Sequence, residues 1–366
     1  MGFRCGIVGL PNVGKSTLFN ALTMTQTATA ANYPFTTIEP NVGQVAAPDT
    51  RLGHLADITG SPRIIHAQLG FIDIAGLVRG ASKGEGLGNR FLGHIREVDA
   101  IVHLLRCFED PEVSHVHAVV DPVSDADVVE TELMLADLQF LERRHEALAK
   151  QFRGGDKEAR VELEALEGAL EELRRGRPLR DLPAEKRQAP ALRALNLLSA
   201  KAELLVCNVE ETAAALGNAH SHAVEAYALQ RGLPALTVSA TLEGDIASLD
   251  DPDERAAFLA DAGLPASGLE RLISTGYGLL DLTTFFTAGE TEVRAWTIPA
   301  GASAVEAAGH VHTDMARGFI RAETIDWQEL IACGGEVGAR DTGKLRLEGR
   351  DYVVRDGEVL RFRFSV

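Results

Sequence analysis

The octapeptide Gly9-Leu10-Pro11-Asn12-Val13-Gly14-Lys15-Ser16 constrains this chain more than any other feature. A short apolar run, Cys5–Gly9, precedes it, and a helix-forming stretch follows from Lys15 to about Leu22. The spacing G-x-x-x-x-G-K-[ST] between a strand and a helix is that of a phosphate-binding loop. Its glycines let backbone N–H groups approach a phosphate, and the helix N-terminus adds positive potential. On this reading Asn12, Val13, Gly14, Lys15, Ser16 and Thr17 cradle the nucleotide phosphates. Lys15 reaches the β- and γ-phosphates, and the Ser16 hydroxyl is a ligand of Mg²⁺. Such a loop needs a sheet behind it. Further buried-strand runs lie at Ala67–Ile74, Ala100–Leu105, Leu204–Cys207 and Ala235–Ser239, separated by helical stretches. The expected fold class is α/β, with a parallel-rich, doubly wound sheet.

Two more elements follow in the order of a switch NTPase. Asp73-Ile74-Ala75-Gly76 ends the second strand run. Asp73 there holds Mg²⁺ through water, and the Gly76 amide senses a γ-phosphate. Between the two lies Asn32–Pro40, where either Thr36 or Thr37 completes the metal shell. Leu77 occupies the place where many switch NTPases carry a water-orienting glutamine, so water must be oriented otherwise. The base-reading element also departs from the common form. Asn208-Val209-Glu210-Glu211 stands where guanine-specific NTPases have N-K-x-D. Glu211 is one methylene longer than that aspartate, and Val209 replaces the lysine. Adenine offers an N6 donor and an N1 acceptor, and Asn208 can serve both. With Ser239 and Ala240 in the last base-contacting loop, the residues disfavour guanine and permit adenine.

Between the third and fourth strands the periodicity changes. Met134, Leu138, Leu141, His145, Leu148 and Phe152 recur at steps of four and three, as do Ala159, Leu163, Leu166, Leu170 and Leu173 beyond Gly154-Gly155. These are heptad seams, predicting an antiparallel helical hairpin. His145 reads as a partly exposed core residue rather than a ligand. From about Thr283 strand alternation returns. Leu345, Leu347, Leu360, Phe362 and Phe364 are expected to face inward, leaving Lys344, Arg346, Arg361 and Arg363 on one basic face. The expected division is a G-type NTPase domain at 1–122 and 198–282, a helical coiled-coil insertion at 123–197, and a C-terminal module at 283–366.

Lys+Arg number 36 against 53 Asp+Glu, a formal charge of −17. That balance argues against a general nucleic-acid coat and against sequence-specific DNA binding, while leaving room for a local basic patch. No apolar run is long enough to span a membrane, and no leader precedes the motif, so a cytoplasmic protein is expected. Cys5, Cys107, Cys207 and Cys333 are scattered, which argues against a disulfide framework and a structural zinc site, and Cys5, Cys107 and Cys207 read as buried structural thiols rather than a redox device. His115 is a loop histidine within reach of a γ-phosphate only if its loop folds back.

The strings GLPNVGKST (Gly9–Thr17), NYPFTTIEPN (Asn32–Asn41), DIAGLVRGASKGEGLGN (Asp73–Asn89), RCFED (Arg106–Asp110), RGGDK (Arg153–Lys157), NVEE (Asn208–Glu211), FFTAGETEVRAWTI (Phe285–Ile298) and HTDMARGFIRAE (His312–Glu323) together resemble the YchF-type Obg-like ATPases. The resemblance covers essentially the whole chain. It implies an Obg-related G domain interrupted by a helical coiled coil, and a C-terminal TGS domain of β-grasp type. It also implies hydrolysis of ATP in preference to GTP, association with ribosomes, and a part in translation or stress responses. Met315 stands where the family usually has Phe, and Val209 where Met or Leu is common. Related NTPases with an apolar residue after D-x-x-G use the loop asparagine to hold K⁺. Asn12 is then a catalytic candidate beside Lys15, Asp73 and Gly76, with K⁺ as activator; the alternative is that Asn12 only shapes the loop. Two other functional readings stand beside the ATPase switch: a GTPase or dual-specificity NTPase, and a ribosome- or RNA-binding regulator whose nucleotide site is a slow sensor.

Overall fold

The computed structural model describes residues 3–29, 42–74, 87–113, 119–152 and 157–365. Chain order to the middle of the protein is β1 (Arg4–Val8), α1 (Lys15–Thr29), β2 (Val42–Ala46), α2 (Arg51–Thr59), β3 (Ile64–Ile65), β4 (Gln68–Asp73), α3 (Leu87–Arg96), β5 (Ala100–Arg106), α4 (Pro122–Phe152), α5 (Lys157–Arg174), β6 (Ala202–Asn208) and β7 (Ala235–Val238). The chain forms two compact units, one of them Phe3–Gln44 with Gly70–Thr275, the other Val45–Leu69 with the chain from Gly276.

The larger unit is built on a sheet in the order β2-β4-β1-β5-β6-β7. Pairing is parallel from β4 through β1, β5 and β6 to β7. Residues of β5 are buried along its whole length, and β6 is buried beyond Ala202, as expected of strands covered on both faces. The order reverses at β1, with β4 on one side and β5 on the other. A crevice at the carboxyl ends of the strands beside such a reversal is where open α/β sheets bind ligands, and the phosphate loop leaves β1 there.

A buried strand carrying His103, Arg106 and Glu203 among its neighbours must satisfy them internally. His103 Nδ1 lies 2.8 Å from Glu203 Oε1, and Arg180 Nη1 lies 2.9 Å from Glu203 Oε2. Arg180 also pairs with Glu130 of α4, whose other oxygen takes Arg231. Burial alone would raise the Glu203 pKa; the hydrogen bond with His103 and the Arg180 charge outweigh it and hold the carboxyl below its ordinary value. A second tie comes from Asp137 of α4. Its carboxylate accepts the Leu198 and Ser199 amides at 3.0 and 2.8 Å and the Ser199 hydroxyl at 2.8 Å.

The two heptad stripes meet. Leu141 and Leu148 of α4 are buried with Leu163, Leu166, Leu170 and Leu173 of α5, and Met134 and Leu138 pack against them. His145 is partly exposed, with Nε2 3.3 Å from Glu167. The Gly154-Gly155 turn lies outside the described residues. The hairpin falls in the same compact unit as the sheet.

The smaller unit holds β8 (Leu282–Ala288), β9 (Val293–Pro299), β10 (Phe319–Asp326), β11 (Arg346–Glu348) and β12 (Glu358–Phe364), in the order β11-β10-β12-β8-β9-β3. Its first and last long strands, β8 and β12, pair in parallel, and the β8–β9, β10–β12 and β10–β11 pairs are antiparallel. Successive residues feed opposite cores. Phe285 packs with Leu360 and with Ala304, Ala307 and Ala308 of the helix Ala304–Val311. Phe286 packs with Val359, Leu330, Ala339 and with Leu52, Leu55 and Ala56 of α2. The segment Val45–Leu69 thus belongs with this unit, whereas a division at 283 leaves it with the NTPase part. The i, i+3, i+4 spacing of Leu52, Leu55 and Ala56 marks an amphipathic helix without saying which sheet it covers.

The expected single basic face does not form. Thr324 pairs with both Arg346 and Leu360, which puts Arg346 on the Leu360 side; Glu323 pairs with Arg361 on the opposite side. Each of the four cations also has an acidic partner: Lys344 with Glu329 at 2.8 Å, Arg361 with Glu336 at 2.9 Å, Arg363 with Glu323 at 2.9 Å, and Arg346 with Glu358. Nor does Leu347 face inward; it is 61% exposed at the short edge strand β11. Phe364 is likewise exposed at the end of β12.

Among the described residues no helix is long and apolar enough to cross a membrane. Cys5, Cys107 and Cys207 are buried free thiols. Burial, aided by Asp99, pushes the Cys5 thiol up to about 12. Its hydrogen bond with Cys207, together with burial, pushes Cys107 up as well. Thiolates are disfavoured at Cys5 and Cys107, which makes these two packing residues.

Candidate nucleotide site

β1 runs straight into the phosphate loop. Two positions in it admit only glycine. A Cβ on Gly9 would stand 2.4 Å from the Leu104 carbonyl oxygen, and one on Gly14, at φ 97°, would stand 2.3 Å from Asn208 Nδ2. Asn12 is left-handed, with φ 62°. Asparagine tolerates that conformation better than other side chains. Lys15 opens α1 and is buried, its ammonium donating to the carbonyls of Gly9 (3.1 Å) and Leu10 (2.7 Å). Burial lowers its pKa to about 8, against the pull of Asp73 in the other direction.

Ser16 and Thr17 are exposed at the mouth of the helix. Ser16 Oγ donates to Asp73 Oδ2 at 3.2 Å, so the hydroxyl from α1 and the carboxylate from the end of β4 share one position. Hydroxyl and carboxylate oxygens suit a hard cation such as Mg²⁺, which keeps several waters and takes ligands from phosphates. Among the described residues no group of three or more His, Cys, Asp or Glu could hold a metal by protein ligands alone. Gly76, Leu77, Thr36, Thr37 and His115 lie outside the described residues.

On the base side, Asn208 is 5% exposed and already engaged. Its Nδ2 donates to the Val13 carbonyl at 3.0 Å, and its Oδ1 accepts the Ala240 amide at 2.9 Å. One N–H and one lone pair remain. The side chain clamps the phosphate loop to the helix Ala240–Ser248, a role that spacing alone did not reveal. Ser239 caps that helix, accepting from the Leu242 amide at 3.5 Å. Val209 points away from solvent into a cluster with Leu105, Cys107, Leu205 and Ala213. Glu211 is exposed and begins a short 3₁₀ turn, Glu211–Ala213. The structure therefore brings Val13, Gly14, Lys15, Asn208 and Ala240 into one linked group with Gly9. Ser16 and Asp73 form a second pair.

Arg106 was visible in sequence only as part of a string. It is fully buried, and its guanidinium donates to the carbonyls of Phe108 (3.1 Å), Val113 (2.9 Å) and Asp110 (3.1 Å). It thereby gathers the loop that leaves β5 beside the base loop. No motif announces such a residue, because its partners are backbone atoms.

Residues 4–136 match the family model described as 50S ribosome-binding GTPase, and residues 282–365 match the YchF-GTPase C-terminal model, described as a protein of unknown function. A Haemophilus influenzae protein named ribosome-binding ATPase YchF is 50% identical over 366 residues, covering 100% of both chains. The Bacillus subtilis protein of the same name is 46% identical over 368 residues, again covering 100% of each. Among solved structures, that of the Schizosaccharomyces pombe YchF GTPase superposes with a TM-score of 0.89 at 34% identity, covering 99% of this chain and 98% of that one. Similarity of this order, sustained over the full length of sequence and fold alike, places the ancestry beyond the phosphate loop alone: the chain belongs to the YchF family.

Proposed function

We propose that this chain is a Mg²⁺-dependent P-loop ATPase switch that binds and hydrolyses ATP in preference to GTP and associates with the ribosome in the cytoplasm. The observation that carries the base preference is the placement of Val209 in the core beside an exposed Glu211. A guanine reader needs a lysine stem over the base and an aspartate at its edge, and neither is present. The relatives' name, ribosome-binding ATPase, supports both the reaction and the partner.

In this reading Lys15 leaves the Gly9 and Leu10 carbonyls to meet the β- and γ-phosphates. Amides of the loop from Asn12 to Thr17 bind the phosphate oxygens. Ser16, Asp73 and either Thr36 or Thr37 would hold Mg²⁺, with Asp73 acting through water. The ion supplies charge neutralisation on the phosphates. Asn12 would hold an activating K⁺, Gly76 would sense the γ-phosphate, and Asn208, Val209, Glu211, Ser239 and Ala240 would form the base side, Val209 by its place in the loop, its side chain being held in the core. The C-terminal module serves as a TGS-type β-grasp domain.

The test is calorimetric titration of ATP and GTP in the presence of Mg²⁺. ATP is expected to bind about tenfold or more tighter, since a mismatched buried polar contact costs about 1–3 kcal/mol. Equal or reversed affinities overturn the base preference. Co-sedimentation with ribosomes, with and without a non-hydrolysable ATP analogue, tests the switch.

A further inference from the structure

We propose that Asn218 is a positioning residue for base selection, acting through Glu210 on the loop that carries Glu211. The proposal rests on the assignment of Asn208–Glu211 as the base loop.

Asn218 sits just before the helix Ala219–Arg231 and uses its amide in three directions. Its Oδ1 accepts the Ser221 backbone N–H at 3.0 Å, while the Ser221 hydroxyl accepts from the Asn218 backbone N–H at 2.8 Å, a reciprocal helix cap. Its Nδ2 donates to the Cys107 carbonyl at 2.6 Å and to Glu210 Oε2 at 3.0 Å. One side chain thus ties together the loop leaving β5, the loop leaving β6 and a helix start. The cap alone requires only the acceptor oxygen. The donor side serves the loops.

Glu210 is the cap residue of the 3₁₀ turn, and the Ala213 amide donates to its carbonyl at 3.0 Å. Fixing its side chain and its carbonyl together sets the direction in which the next residue, Glu211, leaves the loop. Cys107 N–H donates to the Asn208 carbonyl at 2.8 Å, so the two loops are also joined through backbone on the other side of the same corner. A displaced Glu211 would weaken discrimination between bases without removing any phosphate contact.

The isosteric change Asn218→Asp separates the two roles. It keeps the acceptor for Ser221 N–H but turns an oxygen toward the Cys107 carbonyl and the Glu210 carboxylate. The expected result is a preference for ATP over GTP reduced about tenfold, the factor for losing one charge-assisted hydrogen bond. The ADP-release and phosphate steps, read as kcat at saturating ATP, should change far less than KM. Adding Glu210→Gln supplies a new amide donor to the introduced carboxylate, and the preference should return toward wild type. Thermal unfolding of both variants checks that the fold is intact. An unchanged ATP/GTP ratio in a folded Asn218→Asp protein overturns the proposal, as does failure of Glu210→Gln to restore any of a lost ratio. Glu211→Ala distinguishes the underlying assignment. If that change also leaves the ratio untouched, the base-loop reading itself fails; if it shifts the ratio while Asn218→Asp does not, only the role of Asn218 fails.

Discussion

Lys15 offers a measurement in which protons count nucleotide contacts. Its ammonium is buried against two carbonyls, and burial lowers its pKa to about 8. A triphosphate placed against the same group restores the preference for the charged form, so binding must take up a proton wherever the free site has lost one. With a pKa of about 8, uptake is about half a proton per ATP at pH 8 and about nine-tenths at pH 9. The terminal phosphate is already ionised there, its second pKa being about 6. Affinity should therefore fall about eightfold between pH 7.5 and pH 9, by the same linkage. Titration calorimetry in buffers of different ionisation enthalpy reads the uptake directly. A slope of zero at pH 9, or an uptake that survives Lys15→Met, refutes the assignment. Stability without nucleotide moves the other way. The unfolded lysine keeps its proton up to 10.5 while the folded one releases it near 8, so unfolding takes up a proton and raising pH through this window stabilises the folded state.

Asn208→Ala strands the Val13 carbonyl and the Ala240 amide, each buried polar group costing about 1–3 kcal/mol, so urea midpoints should fall by an amount equivalent to about 2–6 kcal/mol. Val209→Lys is expected to destabilise rather than recruit guanine, because the side chain enters a core cluster and a buried ammonium costs about 3 kcal/mol or more; a stable variant with improved GTP affinity would contradict this. Steady-state ATPase rates in KCl should exceed those in NaCl at equal ionic strength, and Asn12→Ala should erase the difference, since a cation between the phosphates offsets developing charge; equal wild-type rates remove K⁺ from the mechanism.

The phosphate loop, the parallel strand runs and the heptad seams were legible because each rests on local spacing: Gly9 to Ser16, the mostly apolar run of β5, and the leucines of α4 and α5. Other features depend on partners distant in sequence. Nothing about Val209 alone says that it faces Leu105 and Cys107 instead of solvent. The polar identity of Asn208 suggested a base contact, yet its two hydrogen-bond partners, Val13 and Ala240, lie 195 and 32 residues away. Alternation correctly separated Leu360 from Arg361, but it could not compare β11 with β12, because the side on which Arg346 falls is set by register through β10. Compensation was equally hidden. Glu323, Glu329 and Glu336 lie outside the segment 344–363 that carries the cations they neutralise.

The polar chain from His103 through Glu203, Arg180 and Glu130 to Arg231 bears on how the hairpin can evolve. An insertion between two strands is ordinarily expected to be removable, leaving its host intact. Here excision of 123–197 would take away Glu130, Asp137 and Arg180, leaving Glu203 buried with one neutral-capable partner and the Leu198 and Ser199 amides without their acceptor. Uncompensating one buried charge costs about 3–5 kcal/mol, a large share of the roughly 5–15 kcal/mol that keeps a domain folded. The distal turns are different: Arg144–Glu162 and Arg160–Glu164 are exposed pairs of small individual worth. Selection is thus free to lengthen, shorten or recharge the tip, altering how far it reaches and what it touches, while the root is inherited as part of the nucleotide-binding sheet.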